Sequence, residues 1–500
     1  MVFWNRAKRN AAENRRFYIV AVSSGLLAGI ISLAIGLRQS VWFDEAYSIM
    51  VAKRPLGELL HFTAIDVHPP LYYILLKIWA SLFGWGELAL RSLSVLALVA
   101  AVIVAGFLIK RLFNTRIALY ATPLLALAPL LLRYGFEIRM YALGSLIGVV
   151  ATYLLVRAVQ ANNKGRRGWL IAYALTIAIG LYIQYFLVLL WLAHAVWLII
   201  LNAREKHLFK AILPYIYAFA GGALLFLPWL PTFIHQTADG ALAPIGKVLN
   251  FEQLAGIITF NTVFQPADQT SMAVTFVLIA LITTLVYAIL KNRGKFAKYR
   301  TGWQLLICYF AVPTLAVMLL SLVTAPYTER YLSHVAIGLI MLIACLTALY
   351  LTDNKIKNRS KVLVAIIVFG CFLIGTLQLA KTGNFNFQRW EYPSANRAAA
   401  SIENCGAGAQ IVAAAPYEAI ELSYYLPHCD IYFVSPWPTL GGGYALLSGS
   451  NLQIKSIDDF TAPNIIFIRN GHGNSTWPSD YRQVSSQQFD SVNVSHIQRI

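Results

Sequence analysis

Long uninterrupted apolar runs dominate this chain, among them Ile19 to Leu37, Leu93 to Ile109, Phe276 to Leu290 and Ile337 to Leu351. They are long and apolar enough to cross a hydrocarbon layer as helices, which satisfy their own backbone hydrogen bonds there. The strand-type alternation that a barrel needs is absent. A chain that is 58% hydrophobic and only 12% charged reads as an integral membrane protein.

The formal charge of +18 raises nucleic acid as a partner, but the basic residues are not spread as a nucleic-acid face would be. About 24 of the 40 Lys and Arg fall in short clusters between the apolar runs: Arg6 to Arg16, Lys110 to Arg116, Arg157 to Arg167, Arg204 to Lys210, Lys291 to Arg300 and Lys355 to Lys361. The positive-inside rule makes these loops cytoplasmic and excludes nucleic acid as the reason for them. The N-terminus then starts inside. Two successive cytoplasmic clusters must be separated by an even number of crossings, which predicts spans near 17–37 and 92–109, then pairs near 117–132 with 140–158, 169–183 with 185–202, 211–231 with 271–290 and 302–323 with 331–350, and a last span near 362–380. The total is about eleven, up to thirteen if shorter pieces cross. Leu71 to Phe83 is too short to cross alone and reads as a juxtamembrane helix on the outer surface. Ile19 to Leu37 is too long for a signal-peptide core and is expected to stay as the first helix.

The last 120 residues or so change character, with polar stretches and short apolar runs. The expected division is a transmembrane domain over 1–381 and a soluble extracytoplasmic α/β domain over 382–500. Segments starting at Gln410, Asp430 and Asn464 read as buried strands, and Tyr417 to Leu426 as a helix. Cys308, Cys345 and Cys371 lie in apolar runs as packing residues. Cys405 and Cys429 share the outer domain, bridged or free. No CxxC or HExxH metal spacing, Walker A loop or dinucleotide fingerprint is present.

Outside that tail, nearly all acids fall on the outward side: Asp44, Glu45, Glu58, Asp66, Glu87, Glu137, Asp239, Glu252, Asp268 and Glu329. Acids contribute little to orientation, so this is not merely the mirror of the basic clusters. Loop solubility accounts for Glu58, Glu252 and Asp268. Asp44 and Glu45 differ, because Trp42, Phe43 and Tyr47 surround them with amphipathic rings that suit a sugar-sized cleft and equally suit an interfacial aromatic belt.

Further outward segments carry chemistry of their own. Paired prolines after His68 bias it away from helical geometry beside Asp66, where it can meet an anionic group. Glu137 and Tyr141 lie at i and i+4, with Arg139 off that line. Arg330 starts a late helix at the outer boundary, where an arginine is costly unless it snorkels or finds a partner such as phosphate.

The ordered set Trp42-Phe43-Asp44-Glu45-Ala46-Tyr47-Ser48, His68-Pro69-Pro70-Leu71-Tyr72-Tyr73, Gly84-Trp85-Gly86-Glu87-Leu88-Ala89-Leu90-Arg91-Ser92 and Glu137-Ile138-Arg139-Met140-Tyr141-Ala142-Leu143 resembles the membrane glycosyltransferases of the GT-C fold, specifically the family 39 group of protein mannosyltransferase and lipid A aminoarabinose transferase type. The resemblance is strong over about residues 17–200, weaker to 380, and carried by no motif in the tail. It implies an all-α polytopic fold and inverting transfer of a sugar from a polyprenyl-phosphate carrier to a lipid, glycan or protein acceptor at the outer membrane face.

On that resemblance Asp44 is the catalytic general base, with Glu45 as neighbour or helper, since an attacking hydroxyl must lose its proton. Arg139 and Arg330 would stabilise the departing phosphate, and His68 adds a donor. Glu137 would orient the acceptor or join a metal site, although no obligatory metal is expected. Tyr141, Tyr182, Gln184 and Tyr331 are further substrate-binding candidates. Two departures bear on specificity: lipid A aminoarabinose transferases have Lys where His68 stands, and many relatives have His where Gln184 stands. An oligosaccharide ligase or polymerase using a diphosphate-linked donor is the nearest rival. A transporter should carry ionisable residues at helix midpoints and broken helices in matched halves.

Overall fold

The computed structural model describes residues 2–238, 251–265, 272–291, 293–322, 329–386, 389–391, 394–406, 408–471 and 476–500. Asp239, Asp268 and the stretch 324–328 lie outside the described residues, as do the side chains of Glu252 and Glu329. The chain forms two compact units, one of residues 1–34, 91–237 and 242–380, the other of 35–90, 238–241 and 381–500.

Mostly helical, the chain is a multi-pass membrane protein. Among the described residues seven helices are long and apolar enough to cross a membrane: Ala11–Gly36, Glu87–Leu112, Tyr141–Gln160, Leu208–Thr237, Arg300–Leu320, Arg330–Leu351 and Asn358–Thr382. An eighth span results if Thr115–Leu125 and Pro129–Gly135 are taken together, although they meet at a 63° bend. A single helix is expected there from apolarity alone, and the break has a backbone cause. Pro129 has no N–H to donate to Leu125, and the residues before it tighten into i→i+3 bonds, with Ala126, Leu127 and Ala128 bonded to the carbonyls of Pro123, Leu124 and Leu125.

Small residues bring the helices of the first unit together. Cβ atoms added to Gly25 and Gly29 would lie 2.8 Å from Ile103 Cγ1 and 2.6 Å from Val99 Cγ2, so this small-xxx-small stripe lets two helix backbones approach as only glycine allows. The helix Ser333–Leu351 is apolar all round and buried along nearly its whole length, as a central helix must be. The expected spans near 169–183 and 185–202 appear as Asn163–Ile183 and Leu187–Asn202, separated by the extended residue Gln184.

In the second unit the short piece Leu71–Phe83 is a 13-residue helix, about 20 Å long against a hydrocarbon core of about 30 Å. Two more short helices, Phe43–Lys53 and Leu56–Ile65, precede it. Their apolar positions are too few and too interrupted by polar residues to stand out as spans.

The tail supplies an antiparallel ribbon of β1 (Asn384–Asn386) and β2 (Arg389–Glu391). It continues with β3 (Gln410–Ala413), β4 (Ile431–Val434), β5 (Gln453–Ile454), β6 (Asn464–Asn470), β7 (Tyr481–Phe489) and β8 (Val492–Arg499), ordered β5-β4-β3-β6-β8-β7. The pairs β3–β4, β3–β6 and β4–β5 are parallel, and β8 runs antiparallel between β6 and β7. Strand alternation splits the core across both faces. Ile411, Ala413, Ile466 and Ile468 pack with Ala398, Ala419 and Leu422 of the helices Ala395–Ala400 and Pro416–Tyr425, while Val412, Ile465 and Phe467 point the other way onto Phe460, Tyr481 and Ile497. The three strands and the helix expected from sequence are all present. The edge strand β7 carries Arg482, Gln483, Ser485 and Gln487 outward, which discourages pairing with another chain. A disulfide joins Cys405 to Cys429, closing a loop of sequence separation 24 around β3 and the helix after it, whereas Cys308, Cys345 and Cys371 are buried thiols.

Candidate active site

Asp44 and Glu45 occupy the first turn of the helix Phe43–Lys53, where carboxylates favour the helix dipole. Their surroundings separate them. Glu45 is 1% exposed, and its Oε2 turns back to accept the Trp42 N–H at 3.3 Å, so this acid caps its own helix. Asp44 is partly exposed.

The residues before Asp44 are held by the tail. Tyr425 Oη accepts the Val41 N–H at 2.6 Å and donates to Glu87 Oε1 at 2.7 Å. Glu421 Oε1 accepts the Phe43 N–H at 2.8 Å, and its Oε2 accepts from Asn470 Nδ2 at 3.3 Å. The Phe43 ring packs 5.1 Å from that of Tyr444 and close against Gly443. Burial, and after it the carboxylates of Asp44, Glu418 and Glu421, push the Tyr444 phenol above its usual range. At the other end of the helix, Lys77 Nζ donates to the carbonyls of Ala52 and Arg54 at 3.1 and 2.9 Å, a cation where the dipole favours one.

His68 lies in the loop before the helix Leu71–Phe83, its Nδ1 3.0 Å from Asp66 Oδ2. Asp66 is 5% exposed, so the pair is fixed at the edge of the unit's interior. The two residues that the sequence places side by side are thus in contact through Nδ1 of the ring.

Glu418 of the tail is a buried acid. Burial pushes its carboxyl up to about 7, opposed by the Asn470 N–H that Oε1 accepts at 3.0 Å. A folded value above the unfolded one means that stability tied to this group is full below about pH 4.5 and is lost as pH rises through 7. Glu418→Gln keeps an acceptor for Asn470 without the buried charge. In thermal unfolding of the full chain in detergent, this variant should match wild type near pH 4.5 and exceed it at pH 8 by up to about 3 kcal/mol; equal pH profiles for the two would overturn the assignment.

In the first unit, an arginine cluster surrounds the loop between the helices Pro129–Gly135 and Tyr141–Gln160. Arg91, Arg133, Glu137, Arg139 and Tyr141 are all buried, with exposures of 0 to 5%. Arg133 Nη1 pairs with Glu137 Oε2 at 3.4 Å. The guanidinium carbons of Arg91 and Arg133 lie 5.5 and 5.2 Å from the Phe136 ring. Ser94 Oγ donates to the Glu137 carbonyl at 2.6 Å and fixes the loop backbone. The Tyr141 ring meets Tyr134 edge-on at 5.0 Å.

One turn along the helix from Tyr141, Gly144 makes room for Gln184, since a Cβ there would fall 2.5 Å from Gln184 Oε1. Gln184 Nε2 donates to the Tyr331 carbonyl at 3.3 Å, Tyr331 stacks on Phe186 at 4.9 Å, and the Arg330 guanidinium lies 5.7 Å from the Tyr331 ring. Gln184, Arg330 and Tyr331 therefore form one group. Tyr182 turns elsewhere, donating to the Leu225 carbonyl at 3.3 Å and packing on Phe226. Among the described residues no cluster of three or more His, Cys, Asp or Glu is arranged to hold a metal ion.

Arg91, Arg133, Glu421 and Tyr425 carry no role in the sequence reading. For the two arginines a signal was available, because each sits beside long apolar stretches where a lone guanidinium is costly.

The polytopic helical body and the small mixed-sheet domain share the fold of ArnT, the GT-C fold that the sequence motifs imply. Residues 67–231 match the family model described as dolichyl-phosphate-mannose-protein mannosyltransferase. In solved structures the chain is similar to ArnT from Cupriavidus metallidurans in the apo state, with TM-score 0.61 and 12% identity over 96% of this chain and 97% of that one. The same protein bound to undecaprenyl phosphate gives TM-score 0.61 at 13% identity over the same shares of the two chains. The apo oligosaccharyltransferase of Archaeoglobus fulgidus gives 0.52 at 14% identity, over 81% of this chain and 63% of that one. Among curated proteins, none matches the sequence.

Proposed function

We propose that this protein is an inverting glycosyltransferase that moves a sugar from a polyprenyl-phosphate carrier to an acceptor hydroxyl or phosphate at the outer face of a cell's plasma membrane. The observation that carries the reading is the presentation of Asp44. It is a partly exposed carboxylate beside Phe43, on a backbone whose preceding N–H groups at Val41, Trp42 and Phe43 are each hydrogen-bonded by a side chain. A general base needs this combination of access and fixed direction.

In this reading Asp44 takes the proton from the acceptor, and Glu45 serves by holding the turn. Arg139 and Arg330 supply positive charge to the carrier phosphate as it departs, and the low-dielectric surroundings of Arg139 strengthen that interaction. His68 contributes a donor from its Asp66-fixed ring. Glu137 orients the acceptor, and Tyr141, Gln184, Tyr331 and Tyr182 shape the sugar's surroundings. The likeness to a structure that binds undecaprenyl phosphate supports a lipid-linked donor. The basic clusters support a cytoplasmic N-terminus and an outward tail.

The test is turnover of purified protein in detergent with a panel of polyprenyl-phosphate and polyprenyl-diphosphate sugars and cell-envelope extract as acceptor source. Release of free carrier monophosphate from a monophosphate donor is expected, and the panel names the sugar. Turnover confined to diphosphate donors would instead assign a ligase or polymerase. No turnover with any donor would favour transport.

A further inference from the structure

We propose that the tail domain positions the catalytic turn, with Glu421 and Tyr425 as the positioning residues. The proposal rests on the reading of Asp44 as the base. Both side chains come from the single helix Pro416–Tyr425, four residues apart and so on one face, and they grasp the backbone at Phe43 and Val41, 378 and 384 residues away in sequence.

Each contact has a defined direction. The Glu87 carboxylate is acceptor-only, so the Tyr425 hydroxyl donates to it, and its lone pair is then turned to the Val41 N–H. Burial, reinforced by the Glu87 charge, pushes the Tyr425 phenol well above its usual range and keeps that proton in place. Glu421 spans two partners, Phe43 N–H on one oxygen and Asn470 Nδ2 on the other, which ties the turn to the end of β6. Tyr424 adds a third grip by donating to the Trp85 carbonyl at 3.1 Å. The Val41 N–H and Phe43 N–H precede the first intrahelical bond, that of Ala46 N–H to the Trp42 carbonyl, so the helix itself cannot satisfy them. Without the tail's two acceptors, the Val41 and Phe43 N–H groups lose these side-chain partners, and of the three acceptors only Glu45, on Trp42, still holds that end of the turn. The chain's last 120 residues or so, which carry none of the motifs, thereby act on the first loop.

The test uses full-length Tyr425→Phe, Glu421→Ala and Glu421→Gln, each alone and combined with Asp44→Asn. Hydrogen exchange of the 41–46 backbone and carrier-phosphate release are read on the same preparations. Tyr425→Phe and Glu421→Ala should speed exchange at 41–46 at least tenfold with the β6 and β8 strands unchanged, and lower kcat about tenfold to a hundredfold with donor KM held. Glu421→Gln, which keeps an acceptor for Phe43, should restore most of the rate. Added to Asp44→Asn, neither change should cost more, because both act through that carboxylate.

Unchanged exchange at 41–46 overturns the positioning role whatever Asp44 does. Faster exchange with wild-type kcat overturns its link to catalysis, as does a loss fully additive with Asp44→Asn. If Asp44→Asn alone turns over like wild type, it is the base reading that fails, and the exchange and kcat of the single variants still decide the role of the tail.

Discussion

Asp44→Asn is expected to lower carrier-phosphate release by about 10²–10⁴-fold, the range that a positioned general base contributes, or about 3–5 kcal/mol of transition-state stabilisation. The substitution is nearly isosteric, and the contacts that hold the turn run through other groups. Glu45 caps Trp42, Glu421 and Tyr425 hold the backbone, and Ser48 Oγ donates to the Asp44 backbone carbonyl at 2.8 Å. Folding and donor binding should therefore survive, so the loss should appear in kcat and kcat/KM with little change in KM. An amide cannot accept the acceptor's proton. Turnover at the wild-type rate would move the base to Glu45 or Glu137, two further acids of the motifs.

The second large effect is expected in stability. Glu137→Ala removes the carboxylate that pairs with Arg133 in a site where both side chains are almost fully enclosed, 1% and 6% exposed. Breaking a buried pair from one side strands the other charge, at a cost of about 3–5 kcal/mol. Thermal unfolding in detergent should show this as a large drop in midpoint. The double change Glu137→Ala with Arg133→Met should recover much of it, because the remaining member is then apolar. The Ser94 bond to the backbone carbonyl of residue 137 persists in both variants, so the difference between them reads the charge and not the loop. Equal stability of Glu137→Ala and wild type would show that the ion pair is not what holds this segment.

Much of the architecture was legible because membrane helices obey local rules. An apolar run such as Ile337 to Leu351 has one stable solution in hydrocarbon, and it is a helix. The short apolar runs after Gln410, Asp430 and Asn464 read as buried strands, and the observed β3, β4 and β6 lie there. The bend at Leu125–Pro129 was less legible. Pro123 sits inside the preceding helix without stopping it, whereas Pro129 begins the next one, and position relative to the turn decides which.

The candidate site divides along the same line. Asp44, His68, Glu137 and Arg139 stand in motifs whose residue types already imply acid, base and phosphate chemistry, and Asp66 is close enough in sequence to His68 for their pairing to be expected. Gln184 and Tyr331 are 147 residues apart, and nothing in either segment points to the other. Residue type alone does not distinguish Asp44 from Glu45, two adjacent acids of similar strength, and only the family resemblance singles out the first. One is left partly exposed and the other is buried at its own helix end because successive helical positions point about 100° apart.

By itself the sequence determined which segments are helical in the membrane, that a sheet domain follows them, and which residue types are available for transfer chemistry. These follow from hydropathy, periodicity and side-chain type, which act over a few residues. Only the tertiary structure decided that Glu421 and Tyr425 grip the backbone before Asp44, that Glu45 turns inward, and that Arg91 and Arg133 share the Phe136 ring. Hydrogen bonds and ring contacts are satisfied by whichever partner the packed chain brings within about 3 to 6 Å, and that choice is made by the whole fold.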